Sequence, residues 1–259
     1  MKDVALSADG IPVHFEFEGG SAPALVFVHG WSCDRTYWSR QIDYFAGRHQ
    51  VVSIDLAGHG ESGGGRRAWT MPAFGGDVVA VVEKLELREL VLIGHSMGGD
   101  VLVEAALGVP DRVAGLVWVD TYATLGEPRT REEIEEFVAP FRHDFVPATR
   151  DFVRRMFVPG SDPDLVEWVV ADMSGAPPEV AVPALEHAIS NDKAILAALP
   201  ELTVPFVAIN PDCRPADVEA LQAHGVEGVL MPGVGHFLMM EDPDTFNRLL
   251  EQVIDELMC

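Results

Sequence analysis

Basic residues are scarce in this sequence. Lysines and arginines number 18 against 41 aspartates and glutamates, which gives a formal net charge of −23 over 259 residues. Phosphate backbones are bound mainly through Lys and Arg, so this shortage argues against a nucleic-acid partner and disfavours an anionic membrane surface. The same charge argues weakly against strongly anionic substrates.

Cysteines are equally few. Cys33, Cys213 and Cys259 are odd in number and show no C-x-x-C spacing. Such a set indicates neither a disulfide framework nor a zinc site. We interpret all three as reduced thiols without a chemical role, as is usual in the cytosol.

Long apolar runs are missing too. No stretch reaches the roughly 18 apolar residues of a spanning helix, and the N-terminal segment lacks the apolar part of a secretory signal. We therefore expect a soluble, cytoplasmic protein without a membrane partner. Hydrophobic residues nevertheless make up 48% of the chain, which is enough for a large core.

Short apolar runs alternate with helical patterns over most of the chain. Strands are predicted in "VALSADG", "PVHFEFE", "ALVFVHG", "QVVSID", "LVLIG", "RVAGLVWVD", "TVPFVAIN" and "GVLMPG". Helices between most of these strands imply right-handed crossovers and a mostly parallel sheet. The predicted fold class is α/β, with an antiparallel start.

The strand pattern is absent from residue 121 to about residue 199. Amphipathic segments broken by Pro and Gly predict several helices there. We therefore predict a core made of residues 1–120 and 200–259, with a helical unit, residues 121–199, inserted after the sixth strand.

A serine pattern typical of a nucleophile occurs twice. "GHSMG" around Ser96 and "GESGG" around Ser62 both match G-x-S-x-G, and "GHGESG" also matches the dinucleotide fingerprint G-x-G-x-x-G. Only Ser96 directly follows an apolar strand and directly precedes a helical pattern. The loop at Ser62 has neither neighbour, and it does not follow the first strand of a crossover unit. We predict Ser96 as the nucleophile.

A nucleophilic serine needs a base and an acid, which follow it in the chain order Ser, acid, His in this kind of fold. His236, in a glycine-rich loop after a late strand, is the predicted base. Asp212, in the loop after "TVPFVAIN", is the favoured acid because of that chain order. Asp120, at the end of "RVAGLVWVD", stays open as the alternative.

The oxyanion of such a reaction needs backbone donors. The N–H of Met97, next to the nucleophile, and the N–H of Trp31, in the loop after "ALVFVHG", are the predicted pair. His29 and His95 adjoin the same region, and we expect both to serve as scaffold.

The four segments "FVHGW", "DLAGHGES", "GHSMGG" and "GVGHFLMMEDPDTFN", in this order, closely resemble the α/β-hydrolase family, in its esterase-like branch with a helical cap. The resemblance implies a triad of Ser96, His236 and an Asp, and a cap of residues 121–199 over the pocket. It implies no metal or organic cofactor, which agrees with the absence of the zinc motif H-E-x-x-H. Because Ser96 stands where dehalogenases and epoxide hydrolases of this family carry Asp, it implies acyl transfer to water.

We therefore expect a serine hydrolase that cleaves a small to medium, largely apolar carboxylic ester. A carbon–carbon bond hydrolase of ring-cleavage products and a ligand sensor on the same fold stay open as alternatives, as do monomer and homodimer. Side chains from the inserted helices and the histidine loop would wall the pocket, although core packing is equally compatible with their spacing: Phe137, Phe141, Phe145, Phe152, Met156, Phe157, Trp168 and Phe237.

Overall fold

The computed structural model describes residues 1–122, 125–126, 128–213 and 216–258. Within these ranges, eight strands form one sheet. They are β1 (Lys2–Leu6), β2 (Pro12–Glu18), β3 (Ser21–Val28), β4 (His49–Ile54), β5 (Leu90–His95), β6 (Val113–Val119), β7 (Phe206–Pro211) and β8 (Glu227–Met231).

The strand order is β1-β2-β4-β3-β5-β6-β7-β8. The first two strands pair antiparallel with each other, β2 pairs antiparallel with β4, and every later pairing is parallel. The predicted α/β class with an antiparallel start is confirmed. The middle of the sheet is apolar on both faces, because β5 is buried throughout and helices cover both sides of parallel strands.

Helices occupy the connections between the parallel strands and also follow the last strand. They are α1 (Ser39–Phe45), α2 (Met71–Lys84), α3 (Met97–Gly108), α4 (Arg131–His143), α5 (Phe145–Arg154), α6 (Pro163–Ser174), α7 (Pro178–Ile189), α8 (Asp192–Ala198), α9 (Val218–Ala223), α10 (Leu238–Glu241) and α11 (Pro243–Leu257). No helix among the described residues has both the length and the hydropathy needed to cross a membrane.

Helix starts follow local sequence signals. The Thr70 hydroxyl accepts the Ala73 N–H before α2, and Thr130 with Glu133 forms a reciprocal capping box before α4. Helix α3 differs, because Ser96 at its N-cap makes no side-chain capping hydrogen bond. Its serine hydroxyl is thus not used to satisfy the helix end.

Helices α4 to α8 all lie between β6 and β7 in the chain, and we call residues 131–198 the inserted helices. In the chain they come after β6, which ends at the same edge of the sheet as β3 and β5. Parallel strands gather their carboxyl ends at one edge, so the loops after these strands meet there.

Candidate active site

Ser96 lies on a sharp bend between β5 and α3. Its backbone has φ 52° and ψ −122°, in the region that non-glycine residues rarely adopt. Such strain persists only where the surroundings hold it, and it lifts the side chain off the end of the strand. Ser96 is half-buried and lines a cavity.

Close backbone contacts hold this bend. A Cβ atom added at Gly94 would lie 2.5 Å from the carbonyl oxygen of Gly98. One added at Gly98 would lie 2.6 Å from the carbonyl oxygens of Val28 and His29. Both distances are shorter than carbon and oxygen tolerate, so only glycine lets α3 lie against β5 and the end of β3 at these points.

Ser62, the rival serine, is held in the scaffold. Its Oγ donates to the Asp55 carbonyl oxygen at 2.6 Å and accepts the N–H of His14 at 2.8 Å. Both contacts tie the glycine-rich loop to the sheet. The hydroxyl therefore serves the fold, in agreement with the preference for Ser96.

His236 lies in the loop between β8 and α10, and three contacts fix it. Its Nδ1 is 2.6 Å from Oδ2 of Asp120. Its backbone N–H donates to the Met156 carbonyl oxygen, and its carbonyl oxygen accepts from Nε2 of His95, each at 2.9 Å. Ring and backbone are thus held independently, and His95 supports the histidine loop as expected of a scaffold residue.

The expectation that Asp212 contacts His236 is wrong, because the alternative acid, Asp120, occupies that place. Asp212 follows β7, and its carboxylate accepts the Gly233 N–H at 3.1 Å instead. Asp120 follows β6, which pairs directly with β5, so it ends beside Ser96. The Asp120 backbone has φ 46°, and its N–H donates to the Ile209 carbonyl oxygen, which aims the carboxylate at the imidazole.

The loop after β3 brings a second peptide group to Ser96. A Cβ atom at Gly30 would lie 3.3 Å from that of Ser96. The Gly30 carbonyl oxygen accepts from Nδ1 of His29 at 2.8 Å and from the Cys33 N–H at 3.3 Å. Because a peptide is planar and trans, the Trp31 N–H points away from that oxygen.

His29 is built to hold this peptide in one orientation. Its Nε2 accepts the Leu56 N–H at 3.1 Å, which leaves Nδ1 as the donor toward Gly30. Burial lowers the pKa of His29 to about 4, so the ring is neutral at working pH. The second predicted amide, that of Met97, is the first of α3, where helical N–H groups have no intrahelical acceptor.

A cavity of about 460 Å³ opens above Ser96. Among the predicted pocket residues, Phe137, Phe152, Met156 and Phe237 line it. Phe141, Phe145, Phe157 and Trp168 do not, which corrects their predicted place. The Phe141 ring packs edge-on against Trp31 at 5.5 Å, and Trp168 packs on Tyr37 at 5.0 Å and is 44% exposed.

Part of the lining is apolar and part is polar. The apolar part includes Trp31, Phe152, Met173, Leu185 and Ile189. The polar part, which the sequence analysis missed, comprises Asp100, Tyr122, Arg129, Arg155 and Asp192. The one sequence signal for it was an acidic residue, Asp100, in the first turn of the mostly apolar α3.

Asp100 is 3% exposed, and burial raises the pKa of its carboxyl to about 7. Its Oδ2 accepts from Nδ2 of Asn191 at 3.1 Å, and its carboxyl also hydrogen-bonds to Tyr122. Asp192 forms an ion pair with Arg129 at 2.9 Å. These side chains form one connected cluster.

A second and larger cleft lies away from Ser96. This cleft of about 890 Å³ lies between the glycine-rich loop and α7, and its lining contains neither Ser96 nor His236. Across the residues described, no group of three or more His, Cys, Asp or Glu side chains is placed to hold a metal ion. The cavity above Ser96 is therefore the candidate active site.

Comparisons with known proteins identify the family and the fold. Residues 25–249 match the family model described as "Alpha/beta hydrolase family". The 3-oxoadipate enol-lactonase 2 of Acinetobacter baylyi is 25% identical over 262 residues, which span 98% of this chain and 97% of that protein.

Solved structures share the fold. A thermophilic esterase from Thermogutta terrifontis, with malate bound, matches with a TM-score of 0.84 at 24% identity over 99% of both chains. Est816, described as an N-acyl homoserine lactone degrading enzyme, matches with a TM-score of 0.80 at 25% identity, over 96% of this chain and 99% of that one.

Proposed function

The chain belongs to the alpha/beta hydrolase family, and we propose that it is a serine hydrolase that cleaves small to medium, largely apolar carboxylic esters through an acyl-enzyme. One observation carries this proposal. A strained Ser96 and a His236 bonded to Asp120 line the same cavity.

In the proposed reaction, Nε2 of His236 takes the proton of the Ser96 hydroxyl as its oxygen attacks the ester carbonyl carbon. The N–H groups of Trp31 and Met97 hold the resulting oxyanion, each contributing roughly 3 kcal/mol to the barrier reduction. The imidazolium then gives its proton to the departing alcohol. Water, activated by the same ring, attacks the acyl-enzyme and releases the acid and Ser96.

Asp120 has a positioning part in this reaction. By accepting the Nδ1–H of His236, it keeps Nε2 as the basic nitrogen and stabilises the imidazolium that forms. The His95 contact to the His236 carbonyl oxygen keeps the loop itself in place.

The proposed substrates include cyclic esters. Two of the similar proteins are named for lactones, an enol-lactonase and an N-acyl homoserine lactone degrading enzyme. Ring-opening of a lactone uses the same acyl transfer, with the leaving alcohol kept on the acyl group. We further propose that residues 121–199 act as a cap, a role supported by the inserted-helix residues Phe137, Phe152 and Leu185 in the cavity wall.

A panel of p-nitrophenyl esters, from acetate to decanoate, tests the proposal. We expect turnover with an optimum at short to medium acyl length, and loss of activity by on the order of 10⁴ or more in Ser96→Ala. Absence of turnover by folded wild-type protein across the panel and on simple lactones would contradict it. In that event the ligand-sensor interpretation becomes the better one.

A further inference from the structure

Asp100 is a buried carboxyl in a cavity wall, and the proposed mechanism does not use it. It lies four residues after Ser96, so about 6 Å separates the two along the axis of α3. Both residues line the cavity. A substrate group that reaches Asp100 is therefore only a few bonds from a carbonyl carbon held at Ser96.

The contacts of Asp100 leave its own proton for another acceptor. Asn191 donates its side-chain N–H to Oδ2, and the phenol of Tyr122 also hydrogen-bonds to the carboxyl. A protonated carboxyl accepts such bonds and still has one O–H to donate. Apart from the phenol oxygen of Tyr122, no acceptor for that O–H is recorded among the described residues, and Asp100 lines the cavity.

Charges around Asp100 favour the protonated form. Asp192 and Glu104 face it and disfavour a second negative charge, while Arg129 is engaged by Asp192. Together with burial, they raise the pKa of Asp100 to about 7. The group therefore changes from donor to acceptor near neutral pH.

A role in folding alone does not account for this arrangement. A buried carboxyl costs desolvation energy that an apolar residue at the same place would not. Asn191 and Tyr122 give the carboxyl two partners, while Leu185, Ala188 and Ile189 make other parts of the same cavity wall apolar. A carboxyl kept at such a place points to a hydrogen bond made with something that enters the cavity.

We propose that Asp100, held by Asn191 and Tyr122, recognises a second oxygen function of the substrate, an accepting carbonyl a few bonds from the scissile one. This inference rests on the proposed ester hydrolysis and names its substrate class: esters or lactones that carry a second carbonyl. The rest of the acyl or alcohol arm would pack against the apolar side chains that line the cavity.

Matched probes test the inference. One pair differs in the acyl arm, p-nitrophenyl hexanoate and p-nitrophenyl 5-oxohexanoate, and one in the alcohol arm, pentyl acetate and 4-oxopentyl acetate. The quantity measured is the ratio of kcat/KM within a pair, in which any pH dependence common to both probes cancels. Turnover of the unsubstituted esters reports on the proposed function separately.

We expect wild-type protein to prefer the oxo probe of at least one pair by roughly three- to tenfold at about pH 5.5, the worth of one hydrogen bond. The preference should fall at about pH 8.5, where the carboxyl has lost its proton. Asp100→Asn, which keeps a donor, should retain the preference at both pH values. Asp100→Leu, which has the same branched shape and no donor, should lose it at both.

Equal ratios in wild type, Asp100→Asn and Asp100→Leu would overturn the inference while leaving ester hydrolysis intact. A ratio that does not change with pH in the wild type would overturn it as well. Thermal unfolding of each variant shows that the compared proteins are folded. If the role of Asp100 were purely structural, its replacement would change kcat/KM equally for both probes of a pair, and their ratio would stay the same.

Discussion

At the scale of single residues, the contact of 2.6 Å between His236 and Asp120 decides which ring nitrogen carries the proton. A carboxylate that accepts the Nδ1–H makes Nε2 the basic nitrogen, which can take a proton from a hydroxyl. Asp212 makes a different contact, to the backbone of Gly233, which only shapes the loop that leads to His236. Asp120 therefore contacts the imidazole ring, whereas Asp212 contacts only backbone in the pairs described, and we expect their replacement to affect catalysis differently.

Replacing each aspartate by asparagine separates these effects. Asp120→Asn should lower kcat by on the order of 10³ to 10⁴, because an amide N–H opposite Nδ1 favours the wrong tautomer. Asp212→Asn should keep activity within about threefold, since an amide oxygen still accepts the Gly233 N–H. Steady-state hydrolysis of p-nitrophenyl butyrate measures both. Full activity in Asp120→Asn with a loss in Asp212→Asn would reverse the assignment.

The sequence does not distinguish between these two aspartates, and the reason is physical. Chain order favoured Asp212, but the position of a carboxylate depends on which strand neighbours β5 and on the local backbone. Strand β6 is that neighbour, and a left-handed φ of 46° turns Asp120 toward the histidine loop. Neither feature leaves a pattern in the residues around Asp120.

At the scale of elements, the bend between β5 and α3 depends on contacts between backbones. Gly98 lies against the carbonyl oxygens that end β3, and Gly94 lies against Gly98. A side chain cannot relieve such contacts by rotating, so the helix itself would have to move. The two glycines of G-x-S-x-G therefore have a packing role at this bend, because no other residue fits the space.

Two glycine substitutions show the difference between this bend and an ordinary helix position. Gly98→Ala should lower the free energy of unfolding by about 1–3 kcal/mol through overpacking, and it should reduce activity by displacing α3. Gly76→Ala is the matched control in α2, where an added Cβ meets nothing within 4 Å. It should raise the free energy of unfolding by up to about 1 kcal/mol. Urea unfolding checks both, and a neutral Gly98→Ala would contradict the packing account.

For the inserted helices, the sequence predicts the helices but not the directions of their aromatic side chains. Their amphipathic patterns predicted helices, and α4 to α8 lie in that part of the chain. The patterns did not indicate which aromatic rings face the cavity, because a ring packs equally well on another helix. Phe137 lines the cavity, whereas Phe141, one turn further along α4, packs on Trp31.

At the scale of the whole molecule, ordered motifs carried more information than composition. The sequence motifs around residues 27–31, 55–62, 94–99 and 233–247 were sufficient to predict the fold, and they bring Ser96, His236 and the loop after β3 to one sheet edge. The net charge of −23 argues against a nucleic-acid partner, but it does not indicate the buried Asp100. Burial of a single carboxyl depends on how the inserted helices pack, which composition does not contain.

Stability against pH should report this buried carboxyl. The folded pKa of Asp100, about 7, is above the unfolded value, so the folded state holds the proton more tightly. Its contribution to stability is present below about pH 4 and is lost as pH rises toward 7. The Asp100→Asn variant does not titrate at this position. Its free energy of unfolding, relative to that of the wild type, should therefore rise by on the order of 1 kcal/mol per pH unit over this window. Urea unfolding at several pH values measures it, and a constant difference would contradict the burial argument.

Covalent labelling tests the central claim most directly, that Ser96 is an activated nucleophile. Folded protein is treated with a fluorophosphonate, which phosphorylates activated serines, and intact mass and peptide mapping then locate the adduct. The account predicts one adduct, on the peptide that contains Ser96, present in Ser62→Ala and absent in Ser96→Ala. An adduct on Ser62 or another residue, or none on folded wild-type protein, would contradict it.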